Sequence, residues 1–402
     1  MRIQLWSYNY DPEPQGVAPL SAVLARTLAE RGHDVLVVAA HPHYPEPAWG
    51  SRRRPYRERR DGVPVLRLPL WIGRATGLER VRQELSFAVS LALAAPVLPP
   101  CDAVIAVSPS FPAQAVAMAY GRVRRVPWIL WLQDIVTDGA ASTGLLPAGA
   151  LLRAAQRFER SAYASADRVV VISEAFRRNL RGKGVADGKL VRILNPTTFD
   201  PSAGVGAALG DTAAPRILAM GNIGHSQGLD RVVDAFEASG ELARLGARLV
   251  IAGAGVEAET VRSRIVSDRV SMTGVLHGDA LAAELAGAWL GLVSQRPDVA
   301  EFNLPSKLMN YMACGVPVIA SVRPESETAA LIRESGAGWI TDAADPAALA
   351  RQAAAALEQP EALRRHGAAG RDYARAHFRP QSVAERFEAV LEGVLAARQP
   401  SR

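Results

Sequence analysis

Arg216-Ile217-Leu218-Ala219-Met220-Gly221-Asn222-Ile223-Gly224-His225-Ser226-Gln227-Gly228-Leu229 is a short apolar run that stops at a glycine and hands over to an amphipathic segment. Such a run, bounded by turn residues, predicts a buried strand, and the 3.6-residue pattern after Gly228 predicts a helix. Gly221, Gly224 and Gly228 fall within the connecting turn. Glycine lets the backbone approach a ligand closely, and successive amides there form an anion-binding concavity. The turn is neither a GxGxxG fingerprint nor a P-loop.

The same alternation continues on both sides. Towards the C-terminus, strands are predicted at Arg248–Ala252, Val270–Thr273, Leu290–Ser294, Pro317–Ser321 and Gly338–Thr341, with helices between them and a final amphipathic helix over Gln381–Ala397. Residues 202–214 have the Ser, Ala, Gly, Asp, Thr and Pro content of a linker. Before it, strands are predicted at Arg2–Trp6, Val35–Ala40, Val63–Leu68, Ala103–Val107, Trp128–Leu132 and Arg168–Ile172. Short strands alternating with helices indicate βα units and a parallel sheet. The fold class is therefore α/β, with two Rossmann-like doubly wound domains facing a cleft. Ligands of such sheets bind beyond the carboxyl ends of the strands.

A chain of 402 residues has room for two domains at about 100–200 residues each. Its 49% hydrophobic and 21% charged content excludes a disordered chain. The two cysteines, Cys101 and Cys314, build neither a disulfide framework nor a thiolate metal site. The first residues enter a strand pattern at once, so no secretory leader is expected. The longest apolar run, Leu85–Leu98, is broken by Pro96 and is shorter than the ~20 residues that span a bilayer. A cytoplasmic protein is expected, free or peripheral at the inner membrane face. The Leu85–Leu98 run reads foremost as a core helix, and membrane contact is the alternative.

Net charge is +6, and its excess is local: residues 51–82 hold ten arginines against Glu58, Asp61 and Glu79. Such a stretch suits phosphate on a lipid surface or on a pyrophosphate-linked acceptor, and equally a solvated loop. It lacks the interleaved aromatics of a nucleic-acid-binding surface, so no nucleic-acid partner is expected.

Two further segments carry candidate chemistry. Asn9-Tyr10-Asp11-Pro12-Glu13-Pro14-Gln15-Gly16 connects the first strand to the first helix, whose N-terminus favours anions and where Gly16 admits close backbone approach. In Glu301-Phe302-Asn303-Leu304-Pro305-Ser306-Lys307-Leu308-Met309-Asn310, Pro305 opens a helix, Ser306 and Lys307 sit near its free amides, and Asn310 shares the Lys307 face. Only three of the 46 basic residues are lysines, at 183, 189 and 307. Lysine at a helix start in so Arg-biased a chain fits a need for a compact ammonium. Gly253 and Gly255, after the Arg248–Ala252 strand, form a weaker turn signal.

Taken together, NYDPEPQG (9–16), GHDVLVVAAHPHYPE (32–46), VPVLRLPLW (63–71), LWLQDIVTD (130–138), VVISEAF (170–176), GNIGHSQGLD (221–230) and LPSKLMNYMACGVPVIAS (304–321) resemble glycosyltransferase family 4 across nearly the whole chain. These are retaining enzymes of GT-B fold, and the resemblance is greatest to bacterial exopolysaccharide members of the colanic-acid and fucosamine transferase type. It implies an acceptor-binding N-terminal domain over about 1–200, joined by a returning C-terminal helix over about 380–402, and a nucleotide-sugar-binding domain over about 201–379. The donor implied is a UDP- or GDP-sugar, held as substrate with no tightly bound cofactor and no metal. The acceptor implied is a lipid-pyrophosphate-linked saccharide or a small glycoside.

On this resemblance the donor would meet Gly16, Gly221, Asn222, Gly224, Gln227, Gly253, Gly255, Arg296, Leu304, Pro305, Ser306, Lys307 and Asn310. Catalytic roles would fall to Lys307, Glu301 and Asp134. Three departures matter. Many members carry a basic pair where this chain has Asn222 and Gln227. The family's two glutamates, eight positions apart, would fall at Phe302 and Asn310, with Glu301 adjacent. Gln133-Asp134 stands where relatives often have His-Asp, and Asp138 is a further acceptor-side candidate. His41 and His43 read as loop residues without metal-ligand spacing. Competing readings are a natural-product glycosyltransferase, an inactive nucleotide-sugar-binding partner and a sugar-nucleotide epimerase; the last would need an acid/base set that the sequence does not offer.

Overall fold

The computed structural model describes residues 1–14, 16–43, 54–72, 77–138, 149–197, 214–298 and 304–398. The chain forms two compact units, Met1–Thr198 together with Pro380–Arg402, and Phe199–Arg379.

In the first unit, β1 (Arg2–Ser7), β2 (Asp34–Ala40), β3 (Tyr56–Arg60), β4 (Val63–Leu68), β5 (Ala103–Val107), β6 (Trp128–Leu132), β7 (Arg168–Val171) and β8 (Leu190–Arg192) make one sheet in the order β3-β4-β2-β1-β5-β6-β7-β8. All neighbours run parallel except β3, which is antiparallel to β4. In the second unit, β9 (Arg216–Met220), β10 (Arg248–Ala252), β11 (Val270–Gly274), β12 (Leu290–Ser294), β13 (Val318–Val322) and β14 (Gly338–Asp342) make a parallel sheet in the order β11-β10-β9-β12-β13-β14. β5, β6, β12 and β13 are buried at every residue. That is why they read as unbroken apolar runs: helices cover both faces of a parallel sheet. Each sheet grows outward from its first strand on one side and then on the other, so it switches direction between β1 and β5, and between β9 and β12.

The pattern reading locates the long apolar strands and fails on charged ones. Tyr56-Arg57-Glu58-Arg59-Arg60 carries no apolar alternation, yet it is β3, an edge strand whose charges discourage further pairing. Arg67 is not part of a solvated basic surface. It is fully buried on β4; its Nε donates to Glu58 at 2.8 Å and another nitrogen to the Ala40 carbonyl at 3.1 Å, and it also donates to the Asp11 carbonyl. Arg60 pairs with the Asp11 carboxylate. Among the described residues, part of the expected basic stretch therefore works inward, tying β4 and β3 to the loop after β1.

Leu85–Leu98 falls on the Gly77–Ala94 helix and the 3-10 turn Ala95–Val97. Phe87, Leu91, Ala95 and Leu98 enter the first unit's core, as a core helix should. Its other face does not, a point taken up below. Among the described residues no helix is long and apolar enough to cross a membrane.

The last helix, Pro380–Arg398, belongs to the first unit. Val383, Ala384, Phe387 and Leu391 recur at helical spacing and enter its core, with the Phe387 ring edge-on to Trp131 at 5.2 Å. Arg31 grips Glu388 with both ends of its guanidinium at 2.6 and 2.7 Å, and His33 reaches the same carboxylate at 2.8 Å. Arg398 closes on Asp167 at 2.8–3.1 Å.

The Arg31 guanidinium holds the Glu388 carboxyl below its usual range. A lowered folded-state pKa contributes stability that is complete above the unfolded value and disappears as pH falls through the folded one. Glu388→Gln should cost about 1–2 kcal/mol at neutral pH, after allowance for partial exposure. In thermal unfolding, the wild-type advantage should shrink below about pH 4.3.

Candidate functional site

At the switch point of the second sheet, β9 and β12 pair only through Leu290 with Ile217 and Gly291 with Leu218. Beyond that they part, and the side chain of Tyr311 enters. Its hydroxyl donates to the Leu218 carbonyl at 2.7 Å and accepts from the Met220 amide at 3.1 Å. Backbone groups released by the splayed strands are thereby satisfied, as buried groups must be. Tyr311 lies on the Ser306–Cys314 helix, so the same contact fixes Lys307 one turn earlier on the same face.

The turn after β9 lies directly on the turn after β10. The Gly221 amide donates to Ala252 at 2.9 Å, and the Ile223 amide to Ala254 at 2.9 Å. A Cβ on Gly253 would sit 1.8 Å from the Gly221 carbonyl oxygen, and one on Gly255 would sit 2.3 Å from that of Ile223. These two glycines are present because two backbones touch. The resemblance gave them to the donor; the geometry gives them a structural reason that requires none.

The chain leaving β12 then closes on the end of the glycine-rich turn. Ser294 Oγ donates to the Gln227 carbonyl at 2.8 Å, and the Arg296 amide to Ser226 at 2.8 Å. The Arg296 guanidinium grips both Asp230 oxygens at 3.0 and 3.1 Å and donates to the His225 carbonyl. Its charge is met by Asp230, and the side chain pins the turn. Gly228 takes φ +60° and begins the Leu229–Ala238 helix.

Lys307 is buried, with its Cε 3.7 Å from where a Gly221 Cβ would lie, and its ammonium donates to Gln227 Oε1. Burial lowers that ammonium from its ordinary value to about 8. Ser306 is exposed at the helix start, Leu304, Pro305 and Asn310 are half-buried, and Asn222 is exposed with Gly224 beside it. The structure thus brings Gly221, Gln227 and Lys307 together. Glu301 lies outside the described residues.

Residues 15–196 match a family described as "Glycosyl transferase 4-like domain", and residues 214–359 one described as "Glycosyl transferases group 1". The chain belongs to the family-4 glycosyltransferases. The putative colanic acid biosynthesis glycosyl transferase WcaI of Escherichia coli K12 is 27% identical to it over 410 aligned residues, covering 98% of this chain and 100% of that protein. Among solved structures, sucrose-phosphate synthase from Thermosynechococcus elongatus superposes with a TM-score of 0.71 at 19% identity, over 99% of this chain and 100% of that one. Anabaena HepE, solved with UDP and glucose, does so with 0.66 at 15%, over 98% and 99%. The two parallel-sheet units are those of the GT-B fold.

In this glycosyltransferase the other expected residues lie on the first unit's loops after β1 and β6. Gly16 precedes the Val17–Glu30 helix. Asp134 follows β6, its amide and that of Gln133 donating to Ser108 Oγ at 3.3 and 2.7 Å. Gln133 and Asn195 exchange a reciprocal pair of amide bonds at 2.8 Å each. Asp138 is engaged by Lys183 at 2.8 Å and Asn179 at 2.7 Å, in a network with Glu159 and Thr137. Its partners give it a structural place.

His43 lies on the loop after β2, as expected, but within a buried polar cluster. It is buried against Tyr8, its amide donates to Glu13 at 2.7 Å, and its ring nitrogens lie 3.1 Å from Glu13 and 3.3 Å from Asn9. Single-sequence spacing hides this cluster, because Asn9 and Glu13 leave β1 while His43 leaves β2. Among the described residues, no group of three or more His, Cys, Asp or Glu side chains is arranged to hold a metal.

The backbone contact at Gly253 makes a sharp prediction. Gly253→Ala should destabilise the protein by about 3 kcal/mol or more, because only backbone atoms could yield. Gly240→Ala, at a helix position with open space around it, should be neutral or raise stability by about 0.4–1 kcal/mol. Denaturant midpoints of the two variants check the contrast.

Proposed function

We propose that this chain is a retaining glycosyltransferase that moves a sugar from a UDP- or GDP-sugar to an acceptor hydroxyl in polysaccharide or glycoconjugate assembly. The observation that carries the reading is the buried Lys307 ammonium over Gly221, beside the start of the Ser306–Cys314 helix. A buried cation with no carboxylate partner among the described residues is costly unless something negative meets it in use. The diphosphate of a nucleotide-sugar is such a group, and helix amides near Ser306 add to its binding. HepE, of the same fold, has been solved with UDP-glucose, and WcaI is named for colanic acid biosynthesis.

In the proposed reaction the bond from the anomeric carbon to the diphosphate oxygen breaks, and the acceptor hydroxyl bonds to that carbon from the same face. The hydroxyl proton passes to the departing phosphate oxygen. No strong side-chain base is needed, so catalysis rests on positioning and on stabilising the leaving charge. Lys307 supplies that charge, with Gly221, Asn222, Gly224, Gln227, Ser306 and Asn310 shaping the donor site. Glu301 contacts the donor sugar. Asp134 orients the acceptor, a lipid-pyrophosphate-linked saccharide or small glycoside.

Lys307→Met separates function from stability. It should lower kcat/KM for the donor by about 10²–10³-fold. It should also stabilise the free protein at neutral pH, by at most about 3 kcal/mol, because a group whose folded pKa lies below its unfolded one resists burial while charged. That gain should fade as pH rises from about 8 towards 10.4, where wild-type Lys307 is neutral when folded. Thermal shifts with UDP-, GDP- and dTDP-sugars identify the donor, since saturating ligand at 100 times its Kd adds about 2.7 kcal/mol. Retention is read from the anomeric configuration of the product. Normal turnover by Lys307→Met would remove the assignment.

A further inference from the structure

The Gly77–Ala94 helix and the turn that follows it carry two apolar faces. The inner one, through Phe87, Leu91, Ala95 and Leu98, is accounted for by the core. On the outer one, Val81, Leu85, Val89, Leu93 and Val97 recur every four residues and are 52–81% exposed. Ala92 and Pro96 between them are also exposed. At 1.5 Å per helical residue the row runs for roughly 24 Å. Folding gives no reason for this face, since a surface helix normally turns polar residues outward. A contiguous apolar row of this kind marks an interaction surface.

The row's surroundings say what it meets. At one end, the half-exposed Trp71 ring lies under the Arg82 guanidinium at 4.4 Å. At the other end, Arg124 donates to the Pro96 carbonyl at 2.5 Å, which brings the end of the Phe111–Arg124 helix alongside. That end exposes Val123 between Arg122, Arg124 and Arg125. Basic residues therefore flank an apolar row at both ends, with Glu79 near one of them. In a symmetric dimer built on this face, parallel helices would set Arg82 against Arg82, and antiparallel ones would set Arg122, Arg124 and Arg125 against an end where Glu79 is already paired with Arg82. An anionic lipid surface complements both features: phosphates meet the guanidinium groups while the aliphatic row enters the acyl boundary.

We infer that the outer face of the Gly77–Ala94 helix docks the first unit on an anionic membrane surface, lying in the interface and not crossing it. The inference is independent of the transfer reaction, and would stand if the donor assignment failed.

The test is co-sedimentation of the full chain with vesicles of phosphatidylcholine mixed with phosphatidylglycerol, against vesicles of phosphatidylcholine alone. The wild type should bind the mixed vesicles, more weakly as salt rises, and hardly bind the neutral ones. Leu85→Glu combined with Leu93→Glu should weaken that binding about tenfold or more, with unchanged thermal unfolding. Arg82→Gln combined with Arg122→Gln should reduce it less and flatten its salt dependence. Sugar transfer to a soluble acceptor should be unaffected in both. Failure of the wild type to bind mixed vesicles, or equal binding by the Leu85/Leu93 variant, overturns the proposal. So does a wild-type dimer in light scattering that this variant converts to monomer, which would assign the face to a second copy.

Discussion

Two backbones touch at the carboxyl edge of the second sheet, and the candidate site is arranged around that contact. With Gly253 and Gly255 lying against Gly221 and Ile223, the turn after β9 is held flat on its neighbour by amide bonds to Ala252 and Ala254. A flattened turn leaves its far end free to be shaped from the other side, by Ser294, Arg296 and Asp230. Lys307 then has a fixed surface to lie on. Remove the close approach and the turn must lift, which moves every group that Lys307 touches.

Lys307 itself is an instance of strain held in side-chain placement. Desolvation disfavours its charge, and the acceptor nearest to it is the neutral Gln227 amide. A basic residue at that position, as many family members carry, would set two positive charges together at this spot. Gln227 and Lys307 therefore fit as a pair: the charge has one owner, and the residue at 227 has become an acceptor that orients it. The departure from the family pattern is thus compatible with a working anion site. Tyr311 bears the cost of the splayed strands that make room for it.

The reach of the sequence follows from which physical signal each element emits. β5, β6, β12 and β13 are buried on both faces, so composition alone marks their ends closely. β3 lies at an edge, where solvent permits charge, and its ladder depends on β4 instead of on its own residues. The helix start that carries Lys307 was legible because Pro305 marks it. Tyr311 was not: a tyrosine among buried helix positions looks like ordinary core, and its two backbone partners are some 90 residues away in sequence. The Gly77–Ala94 helix shows the complementary limit. Apolar content predicted burial correctly for Phe87 and Leu91, but a count of apolar residues does not say that a helix has more of them than one core can take.

The two carboxyl edges solve one problem by different means. In the second unit the turns after β9 and β10 are held by backbone lying on backbone, where a Cβ at Gly253 or Gly255 would not fit, and Arg296 with Asp230 pins only the far end. In the first they are held by buried polar side chains: Arg67 gathers Glu58, Ala40 and Asp11, Glu13 gathers Asn9 and His43, and Glu159 gathers Thr137 and Lys183. Such groups are tolerable only while every partner is in place, since an orphaned buried charge costs several times what its pairing gains. Their geometry is correspondingly specific, because a shifted loop leaves a charge unmet. On the proposed reading, a rigid backbone shelf suits a donor whose diphosphate is always the same shape. A loop edge defined by side-chain partners can be re-cut by changing one partner set, which suits the variable acceptor that the same reading assigns to it.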